Sequence, residues 1–308
     1  MFASKQDFVE ISQYIRTLHG GSQPILVQAS DGLLYVAKFA NNLQGVNLLF
    51  NESAGTELYR ACGLVVPSWK PLLVTDSFLD RNPDCWMQTT EGQRRPNSGL
   101  CFGSRFVGAE GVDLFEILPE TSYKRIRNRA SFWLAWLIDI CALHSDNRQA
   151  VFMRDSEGVL DAYFVDNGHL FGGPKGEHRV HFQASRYLDP SIYPYVSFEQ
   201  LQGLRQFGLC LDVDVLWHTI QRLPDDWKTV SALNCFEQCL IRLSTPKLLQ
   251  NIAETMVQAQ REFIEREESR RQNGRKPPLS VLRTGIQAAE LEYRLGAYRA
   301  GYSACAYG

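Results

Sequence analysis

The sequence predicts an α+β protein of two lobes, in which a small antiparallel sheet with one helix precedes a larger, mainly helical half. Three observations carry this expectation. Apolar runs broken by two-residue turn signals crowd the first third of the chain, whereas apolar residues at helical spacing dominate beyond a glycine-marked connector near residue 108. At 308 residues the chain also exceeds the ~150 residues of a typical single domain, so two lobes or two domains are expected.

The elements follow in order. Residues 8–18 leave helix and strand open, because Phe8, Ile11, Ile15 and Leu18 fit one helical face while Val9, Ile11 and Ile15 partly alternate. Gly20-Gly21-Ser22-Gln23 then sets off Ile25-Leu26-Val27, and Asp31-Gly32 is a hairpin signal before the apolar run 33–39. A turn at Asn41, Asn42 and Gly45 leads to a helix. Its apolar line is Val46, Leu49, Phe50, Leu58, Ala61 and Cys62, and Gly63 stands at its C-terminal cap. Glu52 and Glu57 lie off that line. A strand at 71–74 returns to the sheet, residues 76–98 read as a long loop rich in Asp, Asn, Gly, Pro and Arg, and 100–108 read as a strand running into the connector. Beyond it, helices are expected at 129–143, 197–207, 212–223 and 247–271, with a short hairpin made of 150–153 and 162–165.

Composition excludes several classes. With 44% apolar and 21% charged residues the chain can bury a core, so wholesale disorder is excluded. Lys+Arg 32 against Asp+Glu 34 leaves a net charge of -2, which gives no global positive field, and direct nucleic-acid binding is not expected. The eight cysteines form no CxxC pair and read as free, mostly buried thiols of a reducing compartment. The most apolar stretch, 131–143, is shorter than the ~20 residues of a membrane span, and Asp139 interrupts it. Asp7 and Glu10 occupy positions where a signal peptide would be basic or apolar. A soluble cytoplasmic protein without a membrane partner is the expectation.

The chemistry-bearing residues come in a particular order. The apolar helix ends in His144-Ser145-Asp146-Asn147-Arg148-Gln149, and two short strands later comes Val165-Asp166-Asn167-Gly168, which sets two carboxylates at the edges of one hairpin. Upstream, Lys38 closes a strand that follows a Gly-Gly turn, and Glu52 lies on the next helix. Glycines let backbone N–H groups approach phosphates, a lysine neutralises them, and a helix glutamate holds that lysine in place. Singly, each residue has a plainer reading: Lys38 and Glu52 as solvated charges, Asp146 and Asn147 as a turn or cap, Asp166-Asn167-Gly168 as a hairpin or Asx turn.

In this order the chain resembles the protein-kinase-like superfamily, and most closely its atypical HipA-like branch. The residues that carry the resemblance are Gly20-Gly21-Ser22, Val36-Ala37-Lys38-Phe39, Asn51-Glu52, Gly63-Leu64-Val65-Val66-Pro67, Gly103-Ser104-Arg105-Phe106, His144-Ser145-Asp146 and Asp166-Asn167-Gly168. It covers roughly residues 8–240. The resemblance implies a two-lobed protein-kinase-like fold, divided into an N-lobe (1–108), a helical C-lobe with the catalytic and metal loops (109–272), and a basic linker and tail (273–308). It implies ATP- and Mg²⁺-dependent phosphotransfer to a Ser/Thr hydroxyl of a protein, with an antitoxin-like protein as a further partner. Lys38 would contact the ATP phosphates and pair with Glu52, and Gly20, Gly21 and Ser22 would close over them. Phe102 and Arg105, in the last N-lobe strand, would border the adenine. Asp146 would take the proton of the attacking hydroxyl, and Asp166 would hold Mg²⁺.

Two departures shape the alternatives. The superfamily places a metal-binding Asn four or five residues after the catalytic Asp, and here Ala150 and Val151 stand there, so Gln149 is the substitute ligand and Asn147 the other candidate. Asn167 replaces the usual Phe after the metal-binding Asp. A pseudokinase-like nucleotide-binding module without transfer, and a small-molecule kinase, therefore stand beside the protein-kinase reading. Elsewhere, His178 and His181 read as loop residues, 168–176 as a flexible glycine-rich segment, Cys235 and Cys239 as core thiols, 261–271 as a solvated helix face, and Tyr293, Tyr298, Tyr302 and Tyr307 as a docking-surface candidate.

Overall fold

Strand pairing decides the N-terminal segment that spacing left open. In the computed structural model, which describes residues 8–108, 113–176, 185–204 and 211–272, it is strand β1 (Val9–Thr17). It pairs antiparallel with β2 (Ile25–Ala29), which pairs with β3 (Leu34–Lys38) across the Asp31-Gly32 turn. Helix α1 (Leu48–Ala61) follows, then β4 (Trp69–Val74). The expected loop at 76–98 is instead structured: helix α2 (Asp76–Arg81), capped by Thr75, and a hairpin of β5 (Met87–Thr89) and β6 (Gly92–Arg94). Polar turn residues hid these short elements, since their apolar contacts, Phe78, Leu79, Cys85 and Met87, are too few to form a helical or alternating run.

Strand β7 (Gly99–Arg105) lies between β3 and β4 and pairs antiparallel with both. The sheet then closes on itself. Val9 and Glu10 of β1 pair parallel with Leu72 and Leu73 of β4, so the expected antiparallel sheet is a closed five-stranded barrel with one parallel seam. Register shifts in β1 between Ile11 and Gln13 and between Tyr14 and Arg16 bend it enough to close. Its interior holds Ile25, Val27, Tyr35, Ala37, Phe39, Leu72 and Cys101.

The second lobe opens with β8 (Leu114–Phe115) and the apolar helix α3 (Ser131–Cys141). Strands β9 (Gln149–Arg154) and β10 (Leu160–Val165) form the expected hairpin, and β8 extends it to three strands. Helices α4 (Phe198–Gly203), α5 (Val213–Gln221), α6 (Val230–Leu243) and α7 (Pro246–Gln272) complete the lobe. Of these, α6 was foreshadowed only by Cys235 and Cys239, both buried. Helix α1 is the surprise. It is covered by the barrel on one side and by the second lobe on the other, so Asn51, Glu52, Ser53 and Thr56 are buried along with its apolar line.

Cys62, Cys85, Cys101, Cys141, Cys235 and Cys239 are free and buried, and burial pushes the Cys62 and Cys101 thiols up to about 12. Among the described residues no helix is long and apolar enough to cross a membrane. The lobe boundary at 108/109, His178, His181 and the tail 273–308 with its tyrosines abut or lie outside the described residues.

Candidate functional site

The site forms where the end of β3, the middle of α1 and the ends of the β9–β10 hairpin meet. Lys38 closes β3 and is 6% exposed; Glu52, one turn into α1, is 2% exposed. Lys38 Nζ donates to Glu52 Oε1 and, across the cleft, to Asp166 Oδ1 at 2.7 Å. A lysine is rarely buried unless its charge is paired, and here two carboxylates pair it. Burial alone would lower the Lys38 pKa, but Asp166 and Glu52 hold it above the ordinary lysine value. Burial would likewise raise Asp166, yet the ammonium holds that carboxyl below the usual carboxylate range. Glu52 differs: burial pushes it up against the pull of Lys38.

Backbone geometry aims these groups. Asp166 follows β10 with φ 59°, the left-handed region that Asp tolerates better than most residues. The turn delivers the next two amides to Glu52, with Asn167 N–H donating to Oε2 at 3.1 Å and Gly168 N–H to Oε1 at 3.0 Å. Only glycine fits at 168, since a side-chain carbon there would lie 2.4 Å from Leu48 Cδ1 and 2.9 Å from Glu52 Oε1. Asn51 locks the same loop by donating to the carbonyls of Gly168 and Leu170 at 2.9 and 2.8 Å. Helix α1 therefore carries the lysine partner and the loop clamp on adjacent residues.

Across the cleft, the loop after α3 presents Asp146, half-buried, whose Oδ1 accepts the Asn147 N–H at 2.7 Å. Gln149 opens β9 opposite Val165, one position from Asp166. The Gly20-Gly21 turn leans over from between β1 and β2, and Phe102 stands opposite Lys38 in the β3–β7 ladder. A cavity of ≈ 450 Å³ joins these elements, and Gly20, Gly21, Ser22, Lys38, Glu52, Phe102, Arg105, Asp146, Asn147, Gln149 and Asp166 all line it. Every site residue expected from the sequence thus borders one space. The volume falls within the range of small-molecule sites.

No protein-family model and no curated protein matches the chain. Among solved structures, the Helicobacter pylori proinflammatory kinase CtkA is similar with a TM-score of 0.52 at 12% identity, over 80% of this chain and 96% of that one. The fold is kinase-like. The Golgi casein kinase gives a TM-score of 0.45 at 11% identity over 82% of this chain and 74% of that one. Its form with Mn/ADP bound gives 0.42 at 12% over 82% and 73%.

Within this kinase-like fold, several residues at the site escaped sequence reading. Arg148, between Asn147 and Gln149, turns inward and is buried: it donates to both Asp139 oxygens (2.9 and 2.6 Å) and to Val165 O and Asn167 Oδ1 (3.0 Å each). Tyr59 donates to Asp139 Oδ1 at 2.6 Å, and its ring lies under the guanidinium. Asn167 also donates to Thr56 Oγ1 at 3.1 Å. Arg148 thereby bolts the Asp146 loop to the Asp166 loop. A signal existed: an aspartate inside the most apolar helix demands a buried cation, and the first Lys or Arg downstream is Arg148. His169 is the other omission; it lines the cavity and touches Ser145 and Gln44. The glycine-rich segment at 168–176, expected to be flexible, is held by both lobes through Phe171 N–H to Ala142 O (2.6 Å) and Asn47 N–H to Pro174 O (3.0 Å).

The donors at the cavity are hard oxygens, which suit a cation such as Mg²⁺, Mn²⁺ or Ca²⁺ better than one that prefers thiolate or imidazole. No group of three or more His, Cys, Asp or Glu among the described residues could form a protein cage. Mg²⁺ instead takes oxygen ligands from one or two carboxylates plus substrate phosphates and water. Asp166 offers such a carboxylate at the cavity wall, with the Gln149 amide oxygen one ladder position away.

Proposed function

We propose that the chain is an ATP- and Mg²⁺-dependent phosphotransferase acting on a hydroxyl, with a Ser/Thr of a protein as acceptor. One observation carries this reading: a buried lysine bridges a helix glutamate on its own lobe and an aspartate of the opposite lobe at the wall of a cavity large enough for a nucleotide. The acceptor class, the HipA-like placement and an antitoxin-like partner belong to the same proposal and rest on the sequence resemblance. That the similarly folded CtkA is a kinase is in keeping with it.

In this reading Lys38 turns from Asp166 toward the nucleotide phosphates while Glu52 keeps it in place. Bound Mg²⁺ would neutralise charge on the transferring group, held by Asp166 with Gln149 or Asn147. Asp146 orients the acceptor hydroxyl and takes its proton, and the hydroxyl oxygen bonds to the γ-phosphorus as the bridge to ADP breaks. The Gly20-Gly21 turn and Ser22 cover the phosphates from the barrel side. Phe102 and Arg105 border the base. Positioning and charge neutralisation supply most of the acceleration, because a loose phosphoryl transition state asks for little covalent participation.

The test is direct. Asp166→Ala is expected to abolish Mg·ATP-dependent transfer, and Lys38→Ala to lower it by orders of magnitude, with both variants still folded by circular dichroism. Undiminished turnover in both would remove the assignment. A second reading, nucleotide binding without transfer, draws on one observation: the positions where the superfamily carries its second metal-binding Asn lie inside β9, with Ala150 buried in the core. Stabilisation by Mg·ATP without phosphate release would favour it.

A further inference from the structure

A chain of side-chain contacts crosses the cleft beside the proposed phosphate site and has no part in the chemistry assigned above. His169 Nδ1 lies 3.1 Å from Ser145 Oγ, next to Asp146 in the catalytic loop. Its Nε2 lies 3.2 Å from Nε2 of Gln44, in the connector between β3 and α1. Gln44 N–H donates to Asn42 Oδ1 at 3.0 Å, and Asn42 Nδ2 donates to Ser22 O at 2.7 Å in the glycine turn. Gln44 also touches that turn directly. A side-chain carbon built on Gly21 would lie 2.8 Å from Gln44 Nε2, so the Gln44 side chain lies close against the turn.

The protons are consistent with a continuous linkage. If the Ser145 hydroxyl donates to Nδ1, the imidazole proton sits on Nε2 and needs an acceptor. Gln44 supplies one when its amide oxygen faces the ring, and the amide nitrogen then takes the buried position opposite.

Serine, histidine and glutamine in this connectivity could also describe a nucleophile, a base and an orienting group. The placement argues against it. The Ser145 hydroxyl points beneath the backbone, where a side-chain carbon on Gly173 would lie 2.7 Å from Oγ, and the cavity is lined by His169 and Gln44 but not by Ser145. The trio holds parts together and attacks nothing.

We propose that Gln44 and His169 are positioning residues that latch the Gly20-Gly21 turn to the catalytic loop across the cleft, setting the turn's height over the nucleotide phosphates. The purpose rests on the phosphotransfer reading above, whereas the linkage itself does not, and the experiment separates the two.

Hydrogen exchange of the ligand-free full chain reads the latch without any activity. The Gln23 amide, bonded to Gly20 O at 3.0 Å, reports the turn, and the Gly32 amide, bonded to Ala29 O at 2.9 Å, reports the barrel remote from the latch. Gln44→Ala and His169→Ala are each expected to speed exchange at Gln23 about tenfold, the effect of one hydrogen bond, with Gly32 unchanged. The double variant is expected to exchange no faster than the faster single, since both break one linkage. Gln44→Glu, which keeps an acceptor for the ring proton, is expected to retain wild-type exchange. Unchanged exchange in Gln44→Ala, multiplied effects in the double variant, or loss of protection in Gln44→Glu would overturn the latch. Affinity for a fluorescent ADP analogue then tests its purpose: a several-fold loss in Gln44→Ala supports it, and equal affinity overturns it. A wild-type chain that binds no analogue would sink the phosphotransfer reading and the latch's purpose with it, while the exchange result alone decides the latch.

Discussion

Lys38 with Glu52 and Asp166, and Arg148 with Asp139 and Tyr59, both bury charge and both join elements far apart in sequence, yet they are built to opposite ends. The Arg148 group is sealed: the Arg148 and Asp139 side chains are 1% and 0% exposed, and Nε and both terminal nitrogens of the guanidinium have acceptors. The Lys38 group is sealed on one side only. Glu52 is 3% exposed in its side chain, but Asp166 is 26% exposed and faces the cavity. An ion pair whose side chains are almost wholly covered leaves little room for a ligand, so burial of charge by itself marks structure; it marks a site when one member is exposed to space.

The largest effect that would test this contrast is on the sealed group. Asp139→Ala leaves an unpaired guanidinium in the core and is expected to cost about 3–5 kcal/mol in denaturant unfolding. Replacing the pair together, Asp139→Leu with Arg148→Met, is expected to recover most of that stability, because two apolar side chains need no partners. No apolar replacement of the Lys38 group should recover transfer. If the Asp139/Arg148 double variant is as unstable as the single, Arg148 is doing more than neutralising Asp139.

His144 sharpens the same boundary. It is 1% exposed, 3.9 Å from Asp139 Oδ1, and neither ring nitrogen has a hydrogen-bond partner. Burial, with Arg148 and His169 nearby, depresses its pKa well below the ordinary histidine value. Below pH ~6.5 the unfolded chain takes up a proton that the native ring refuses, so stability falls as pH drops, by up to ~1.4 kcal/mol per unit from this group. The loss continues down to the depressed native value. His144→Phe is expected to remove that slope, read as the difference between the two proteins' unfolding free energies at pH 7 and pH 5. Parallel curves would show that the native ring takes up its proton over the same pH range as the unfolded chain.

The smallest effect is a control remote from both groups. Thr75 accepts the Phe78 N–H at 3.2 Å as the cap of α2, and Thr75→Ala is expected to cost about 1 kcal/mol with transfer unchanged. A large loss of transfer would tie α2 to the site.

How much of this was legible depended on the range of the interaction concerned. The Asp31-Gly32 hairpin, α3, the β9–β10 hairpin and α7 follow from local spacing and turn chemistry, and the structure places them within a few residues of expectation. The site residues were legible as an ordered set because each sits at the end of such an element, or on a helix that spacing already located. What eluded the sequence was set by packing between distant parts. Glu52 looks solvated on a helical wheel because the wheel has no record of the second lobe that covers its far side. Arg148 is one charge in a polar loop sequence, and its pairing with Asp139 is a contact made only in the fold. The parallel seam of the barrel joins Val9 to Leu72, and no periodicity within either strand announces that partner.

That seam has a consequence for recruitment. The seam joins Val9 to Leu72 and Glu10 to Leu73, so along that stretch the sheet offers no unpaired ladder to a visiting peptide, and strand addition, a common way for extended segments to dock, is barred there. A macromolecule docking over that seam would have to be recognised by side chains rather than by the backbone ladder, and substitutions at exposed Lys70 beside it would test such an epitope.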